Sequence, residues 1–323
     1  FASLAWPGSM GVLSGVNAER IFVSVAYGRT DAKLNRGTPG PFIARTILER
    51  AKTFKQALAI AKKAKPMGSA ALLIADGNSR RAAVVELTPK RTFVRKSSSS
   101  WIAVTNHLLH KKLKGDASND WLRRYTPSGA RYERLKQLMA RFSGRIDPAT
   151  AALILRNRTG LKDAPLAIGH RGAIDSLRAT HGLVVDVTSL TLWVPRPPHL
   201  LGAMDAIDLK PLFGLASGSA TLQEVGPDPL LGTVELRRYN LVRDQLDYAR
   251  RLRGANAKAE ALDYARRAAR AAPELPEARL LLGDLLWDAG RKDEARQEYQ
   301  ALLKCSPPFR QEAERVRSRL AGG

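Results

Sequence analysis

The chain has 323 residues, 44% hydrophobic and 26% charged, with one cysteine and a formal net charge of +23. This balance excludes wholesale disorder, the lone Cys305 excludes an internal disulfide framework or a cysteine-built zinc cluster, and no run of about 18 apolar residues is present to cross a bilayer. The length favours two domains, and the charge is uneven: residues 1–239 hold 36 basic and 17 acidic residues, whereas 240–323 hold 17 and 13.

The basic excess of the first region would attract anions at low salt. Aromatics at 6% offer no stacking platform for single strands, so no nucleic-acid partner is expected. The sequence starts at Phe1 without a basic-then-apolar signal region and is read as a piece whose N-terminus lies upstream, which leaves localisation unknown.

Residues 1–28 read as strand, turn, strand, punctuated by Gly8, Gly11 and Gly15, with Ile21, Val23 and Val25 alternating along the second strand. Residues 41–64 carry two helical stretches. Thr53 is placed as the N-cap of the second, whose Ala57, Ile60 and Ala61 share a face. Residues 71–76, 82–87 and 91–96 predict an antiparallel meander turning at Asp76-Gly77-Asn78. The serines at 97–100 form a polar turn, and 101–107 reads as another short strand. An amphipathic helix over 128–142 carries Leu135, Leu138 and Met139, and another starts near Asp147-Pro148, an N-cap followed by proline. Two strands within 177–195 are joined by Thr188-Ser189. The stretch 196–239 is rich in Pro and Gly with little periodicity and closes the first domain, with 211–239 as linker.

From residue 240 the composition turns to Ala, Arg, Leu and Glu, and an internal repeat emerges. Tyr248, Ala249, Leu252, Ala261, Ala265, Ala268 and Pro273 are matched 34 residues later by Leu282, Gly283, Leu286, Ala295, Tyr299, Leu302 and Pro307. That period resembles the tetratricopeptide repeat, a helix–turn–helix unit. The first copy has Asn256 where a turn glycine is usual, and 309–320 would form a capping helix.

Standard catalytic motifs are absent: no nucleophile elbow, no phosphate-binding loop, no dinucleotide fingerprint. His107 and His110 read as a surface pair rather than metal ligands, and Cys305 as a structural thiol. What remains is polar residues at strand ends and a helix start: Asn17, Asn106 and Arg131. An amide at a strand end can donate to a developing oxyanion without changing charge, or it can simply form a turn.

Five segments together resemble a known family. They are W-P-G-x-x-G-x-L-S-G-x-N-x(5)-V-S from Trp6 to Ser24, P-F-x-x-R-x-I-L-E-x-A from Pro41, and T-N-H at 105–107, followed by S-x-x-R-Y-x-R-L at 128–135 and A-T-H-G-x-V-x-D…L-x-L-W-V at 179–194. The family is the acyl-coenzyme A:6-aminopenicillanic acid acyltransferases, autoproteolytic enzymes of the N-terminal-nucleophile superfamily, and the likeness covers roughly 1–200. It implies an α+β, four-layer αββα sandwich over 1–210, followed by the all-α repeat module over 240–323. It also implies an acyltransferase or amide hydrolase working through an N-terminal cysteine acyl-enzyme, acting on a small-molecule acyl donor or amide with no cofactor. That cysteine would lie upstream of Phe1, so residues 1–323 alone are expected to be inactive. Asn17 and Asn106 are implied to hold the oxyanion or the nucleophile's amine, and Arg131 to order the hydrogen-bond network, all around one cleft. Arg20 stands where the family has a turn glycine. The alternative reading is a non-enzymatic scaffold with a relic hydrolase-like domain, its repeats holding a protein partner.

Overall fold

Alternation along the central strands decides the layering of the first region. In this computed structural model, which describes residues 1–97, 99–216 and 221–322, six strands pair antiparallel in chain order. They are β1 (Ala2–Leu4), β2 (Ser14–Val16), β3 (Ile21–Tyr27), β4 (Ala70–Asp76), β5 (Arg81–Leu87) and β6 (Thr92–Lys96). One face carries Ile21, Val23, Leu72, Ile74, Val85 and Leu87, all buried against helices α1 (Gly40–Arg50) and α2 (Phe54–Lys63). The helices form where expected: Thr53 accepts from the Gln56 N–H at the start of α2, and Ala57 and Ala61 face the sheet.

The opposite face of the sheet is covered twice. Val16 and Phe22 meet Leu190 and Leu192 of a second, three-stranded sheet, formed by β7 (Val184–Asp186), β8 (Thr191–Pro195) and β9 (Met204–Asp208). That small sheet buries Trp193 and Met204 against Ala152 of a helix over 148–155. Helices, sheet, sheet and helix thus stack in the αββα order. Farther along the large sheet, Ala71 and Val84 are covered by Ile102, Val104 and Leu108.

The covering segment corrects one expectation. Residues 101–107 form no strand. They cross the sheet face instead of extending its edge, and the Arg95 guanidinium donates to the Ala103 carbonyl at 2.7 Å. A helix that local patterning missed follows, α3 (Ala117–Tyr125). Its N-terminus is capped from a distance: the Asp31 carboxylate accepts from the Ala117 and Ser118 N–H groups, both at 2.9 Å. A hydrogen bond from the Ser118 side chain, together with those two backbone bonds, holds the Asp31 carboxyl below its usual range. Then come α4 (Pro127–Arg141) and α5 (Pro148–Leu155), where Asp147 accepts from the Thr150 N–H as the sequence predicts. Of the polar turn at 97–100, Ser98 lies outside the described residues, as do residues 217–220 of the linker stretch.

The chain divides into two compact units, Phe1–Arg124 with Ser128–Leu155 and Thr180–Pro227, and Tyr125–Pro127 with Arg156–Ala179 and Asp228–Gly323. The second unit is helical: α6 (Val234–Gly254), α7 (Lys258–Ala271), α8 (Pro276–Asp288), α9 (Lys292–Lys304) and α10 (Arg310–Ala321). The first of these begins inside the stretch read as linker. Asn256 and Gly290, one period apart, both take left-handed backbone, φ 61° and 76°, so asparagine fills the turn-glycine position of the first copy. The small residue at Gly283 is required by contact, because a Cβ there would stand 2.6 Å from the Tyr299 ring.

Two features bind this unit together. The Asp284 carboxylate, mostly buried, accepts from the Tyr299 hydroxyl at 2.8 Å, from Arg319 at 2.7 Å and from Arg315 at 2.9 Å, tying α8, α9 and α10. Residues 156–179 also belong to it. His170 Nε2 lies 3.0 Å from the Ser306 carbonyl oxygen, Arg178 pairs with Glu277 at 2.8 Å, and Ala167 packs on the helical core. Gly169, at φ 81°, sits so close to Tyr239 that a Cβ would be 2.0 Å from its ring.

Two outcomes are expected. Asp284→Asn should cost about 2 kcal/mol through lost charge-assisted bonds, read by chemical denaturation of the helical transition. Gly169→Ala should cost at least about 2 kcal/mol, because both the left-handed backbone and the ring contact oppose a Cβ. A melting profile identical to wild type in either variant contradicts the corresponding contact.

Candidate functional site

The three residues singled out in the sequence do not converge. Asn17 follows β2 directly and is buried, 5% exposed. Its Nδ2 donates to the Leu48 carbonyl at 3.1 Å and the Ala51 carbonyl at 2.8 Å, and its Oδ1 accepts from the Ile21 N–H at 2.9 Å. Both amide protons are therefore spent on the open C-terminal end of α1, and the oxygen closes the β2–β3 turn. Arg20 completes that turn at φ 63°, the left-handed backbone a turn glycine would adopt. Its guanidinium compensates by bonding the Thr188 carbonyl at 3.0 Å and Asn78 Oδ1 at 3.2 Å.

Asn106 lies at the other end of β3. Its Nδ2 donates to the Tyr27 carbonyl at 3.2 Å, and Arg131 Nη2 donates to its Oδ1 at 3.0 Å. Asn17 is anchored at Ile21 and Asn106 at Tyr27, so six residues of strand, about 20 Å, separate the two amides. They also approach the sheet from opposite faces, Asn17 from the α1 side and Asn106 on the segment covering Ala71 and Val84. The expectation of one cleft shared by Asn17, Asn106 and Arg131 is corrected accordingly. Asn106 and Arg131 meet, while Asn17 serves a helix end and a turn, because a buried amide at that position is claimed by the nearest unsatisfied carbonyls.

The Asn106 end is a chemically distinct place. The Arg131 charge on Oδ1 fixes the amide's orientation and polarises it, so Nδ2 becomes the stronger donor. One of its two protons goes to Tyr27, and the other is directed elsewhere on a half-buried side chain. Tyr27 itself is 59% exposed beside it. This is the arrangement of an oriented donor next to accessible space, and Tyr27 is a participant that sequence reasoning did not identify. Its position as the last residue of a strand was the only available signal.

Beneath Asn106, His107 departs from the surface-pair reading. It is 3% exposed. Its Nδ1 lies 2.8 Å from Ser128 Oγ and 3.1 Å from Thr105 Oγ1, and its ring meets Tyr132 edge-on. The imidazole therefore ties the segment carrying Asn106 to the first turn of α4, which carries Arg131. Burial, reinforced by the Arg123 and Arg95 charges, pushes its pKa down to about 4, so it is neutral near pH 7. His110 instead stacks on Phe93 at 4.5 Å. Among the described residues no group of His, Cys, Asp and Glu is placed to hold a metal ion, and no helix is long and apolar enough to cross a membrane. Cys305 lies in the helical unit with Sγ 3.2 Å from the Ala301 carbonyl, and burial raises its pKa, which disfavours the reactive thiolate.

The depressed His107 pKa has a definite sign. The unfolded imidazole protonates near 6.5 and the folded one near 4, so between those values the unfolded chain binds more protons. Stability contributed here is complete above about pH 6.5 and is lost as pH falls toward 4, by at most about 3 kcal/mol. Urea denaturation at several pH values should show His107→Gln losing less stability across that window than wild type. Parallel pH profiles would disprove the buried neutral imidazole.

Comparison with known proteins bears on the region just described. The family profile of acyl-coenzyme A:6-aminopenicillanic acid acyl-transferase matches residues 1–164, and a tetratricopeptide repeat profile matches residues 252–320. None of the curated proteins matches the chain. Two solved structures of conjugated bile acid hydrolase variants from Clostridium perfringens are similar at 12% identity, with TM-scores of 0.42 and 0.43, over 71% of this chain and 83% of theirs.

Proposed function

The chain belongs to the acyl-coenzyme A:6-aminopenicillanic acid acyl-transferase family, and from that premise we propose that its first unit performs acyl transfer or amide hydrolysis at the Asn106 end of β3. The observation that carries this reading is the Arg131–Asn106–Tyr27 relay, in which a cation orients an amide whose second proton is free to meet developing charge. In the proposed reaction a cysteine thiolate attacks the acyl carbonyl and the tetrahedral oxyanion accepts a hydrogen bond from Asn106 Nδ2. Arg131 is a positioning residue, acting through the Asn106 amide. The tetrahedral species collapses by breaking the bond to the substrate's amine or thiol, which leaves with a proton from the nucleophile's protonated α-amine. The acyl group of the resulting thioester then passes to water or to an amine.

The thiolate is not Cys305, whose surroundings weaken it and which belongs to the helical unit. We assign the nucleophile to a cysteine outside residues 1–323, released by self-cleavage and using its own α-amine as base. On this reading 1–210 is the catalytic domain and residues 1–323 alone are inactive. The substrate is a small acyl donor or amide. The scaffold alternative draws less support. The concavity shared by α6, α8 and α10 is lined also by Gly169 and Arg171 of the same chain, which narrows the surface those helices offer a protein partner.

Substitution separates the two asparagines in the protein carrying its nucleophile. Asn106→Ala should lower kcat by about 10²–10³ with the melting temperature nearly unchanged. Asn17→Ala should instead cost about 2–3 kcal/mol of stability, since three buried bonds lose a partner, while kcat of the folded fraction holds. A kcat loss confined to Asn17→Ala would reverse the assignment.

A further inference from the structure

The basic excess of the first region is not spread evenly over its surface. Six cations, Lys62, Lys65, Lys90, Arg91, Lys111 and Lys112, line one concavity of about 760 Å³. They come from three separate places: the end of α2, the β5–β6 turn, and a 3-10 turn over 111–113. No carboxylate lines the concavity, and among the described residues none of the six side chains forms an ion pair. In the helical unit, by contrast, arginines are repeatedly matched to carboxylates, as in Arg250–Glu277, Arg253–Asp288 and Arg279–Glu298. Gathering six like charges without counter-charge is unfavourable in the empty state, and that repulsion is relieved when an anion enters.

The basin is also held in shape. Thr88 Oγ1 donates to the Arg91 carbonyl at 2.8 Å and accepts from the Arg91 N–H at 2.9 Å, locking the β5–β6 turn. Asn35 donates to the Pro89 carbonyl at 3.1 Å. Glu86, buried beneath, accepts from the Leu109 and His110 N–H groups, both at 2.9 Å, and so fixes the segment leading to Lys111 and Lys112. Glu86 is paired with Arg95 at 3.3 Å, so its charge is satisfied below the floor rather than offered to the basin. The stacked Phe93 and His110 rings form one wall. A fixed framework under mobile lysine ammonium groups suits a ligand that is small, multiply charged and tolerant of point-charge contacts.

We infer that this basin binds a small polyanion of the polyphosphate class, at a site separate from Asn106 and independent of the acyl-transfer reading. A single carboxylate would leave most of the six charges unmatched, and an extended nucleic acid would need a longer stripe of charge than these six residues around one open concavity supply.

Isothermal titration of residues 1–323 with inorganic tripolyphosphate tests the site. Saturable one-to-one binding is expected, weakening as sodium chloride is raised from about 50 to 300 mM. Lys65→Glu with Arg91→Glu should weaken it about tenfold or more, with an unchanged circular dichroism spectrum. A control reversal at the opposite end of α2, Lys52→Glu with Lys55→Glu, makes the same change in net charge and should weaken it no more than about twofold. Equal loss in both double variants, or the absence of saturable binding at low salt, overturns the proposal. So does tighter binding of a 20-base-pair duplex or of phosphatidylserine vesicles that survives the Lys65 and Arg91 reversals. If the Lys65/Arg91 variant misfolds, Lys90→Gln with Lys112→Gln gives the same reading by its loss or retention of binding.

Discussion

Burial of both faces of β4 and β5 is the constraint on which the first unit depends. Leu72, Ile74 and Val85 point to α1 and α2, while Ala71 and Val84 point to the segment 102–108. An antiparallel sheet can leave one face to water, and this one cannot, because both sides of its central strands are apolar. Everything that covers the second face is therefore positioned by the sheet. The three-stranded sheet settles over Val16 and Phe22, and the crossing segment settles over Ala71 and Val84. Asn106 reaches the end of β3 because its neighbours Val104 and Leu108 are drawn onto that face.

The same constraint explains why a neutral histidine lies below the candidate site. A segment that crosses a sheet face makes no ladder bonds, so its polar groups need side-chain partners. Arg95 donates to the Ala103 carbonyl, Asn119 accepts from the Leu108 N–H and donates to its carbonyl, and Glu86 accepts from the Leu109 and His110 N–H groups. The neutral His107 ring ties the segment to Thr105 and Ser128 through side-chain bonds. The strand end, the crossing segment and the start of α4 are thereby held together. Positioning of Asn106 by Arg131 is a consequence of that framework rather than of the arginine alone.

Charge is used differently in the two units. In the helical one, arginine–carboxylate pairs and the Asp284 junction link successive helices, and the formal balance of residues 240–323 is near neutral. In the first unit, six cations gather around one concavity that no carboxylate lines among the described residues. Exposed pairs contribute little individually, so the contrast says less about stability than about which surface is left to attract an anion.

Features encoded within a few residues were legible in the sequence. The alternation of Ile21, Val23 and Val25, the caps at Thr53 and Asp147, and the 34-residue period with Asn256 matching Gly290 are all short-range rules of backbone and side-chain geometry. The meeting of Asn106 with Arg131, 25 positions away, could be expected only through resemblance, since a loop asparagine and a helix-start arginine are common. What the tertiary structure alone decided was partnership across long separations. It set Asn17 on the carbonyls of Leu48 and Ala51, Asp31 at the start of α3, His107 in the interior, and residues 156–179 within the helical unit. A polar side chain's role follows from which unsatisfied group it meets, and that depends on how the whole chain folds back rather than on its neighbours in sequence.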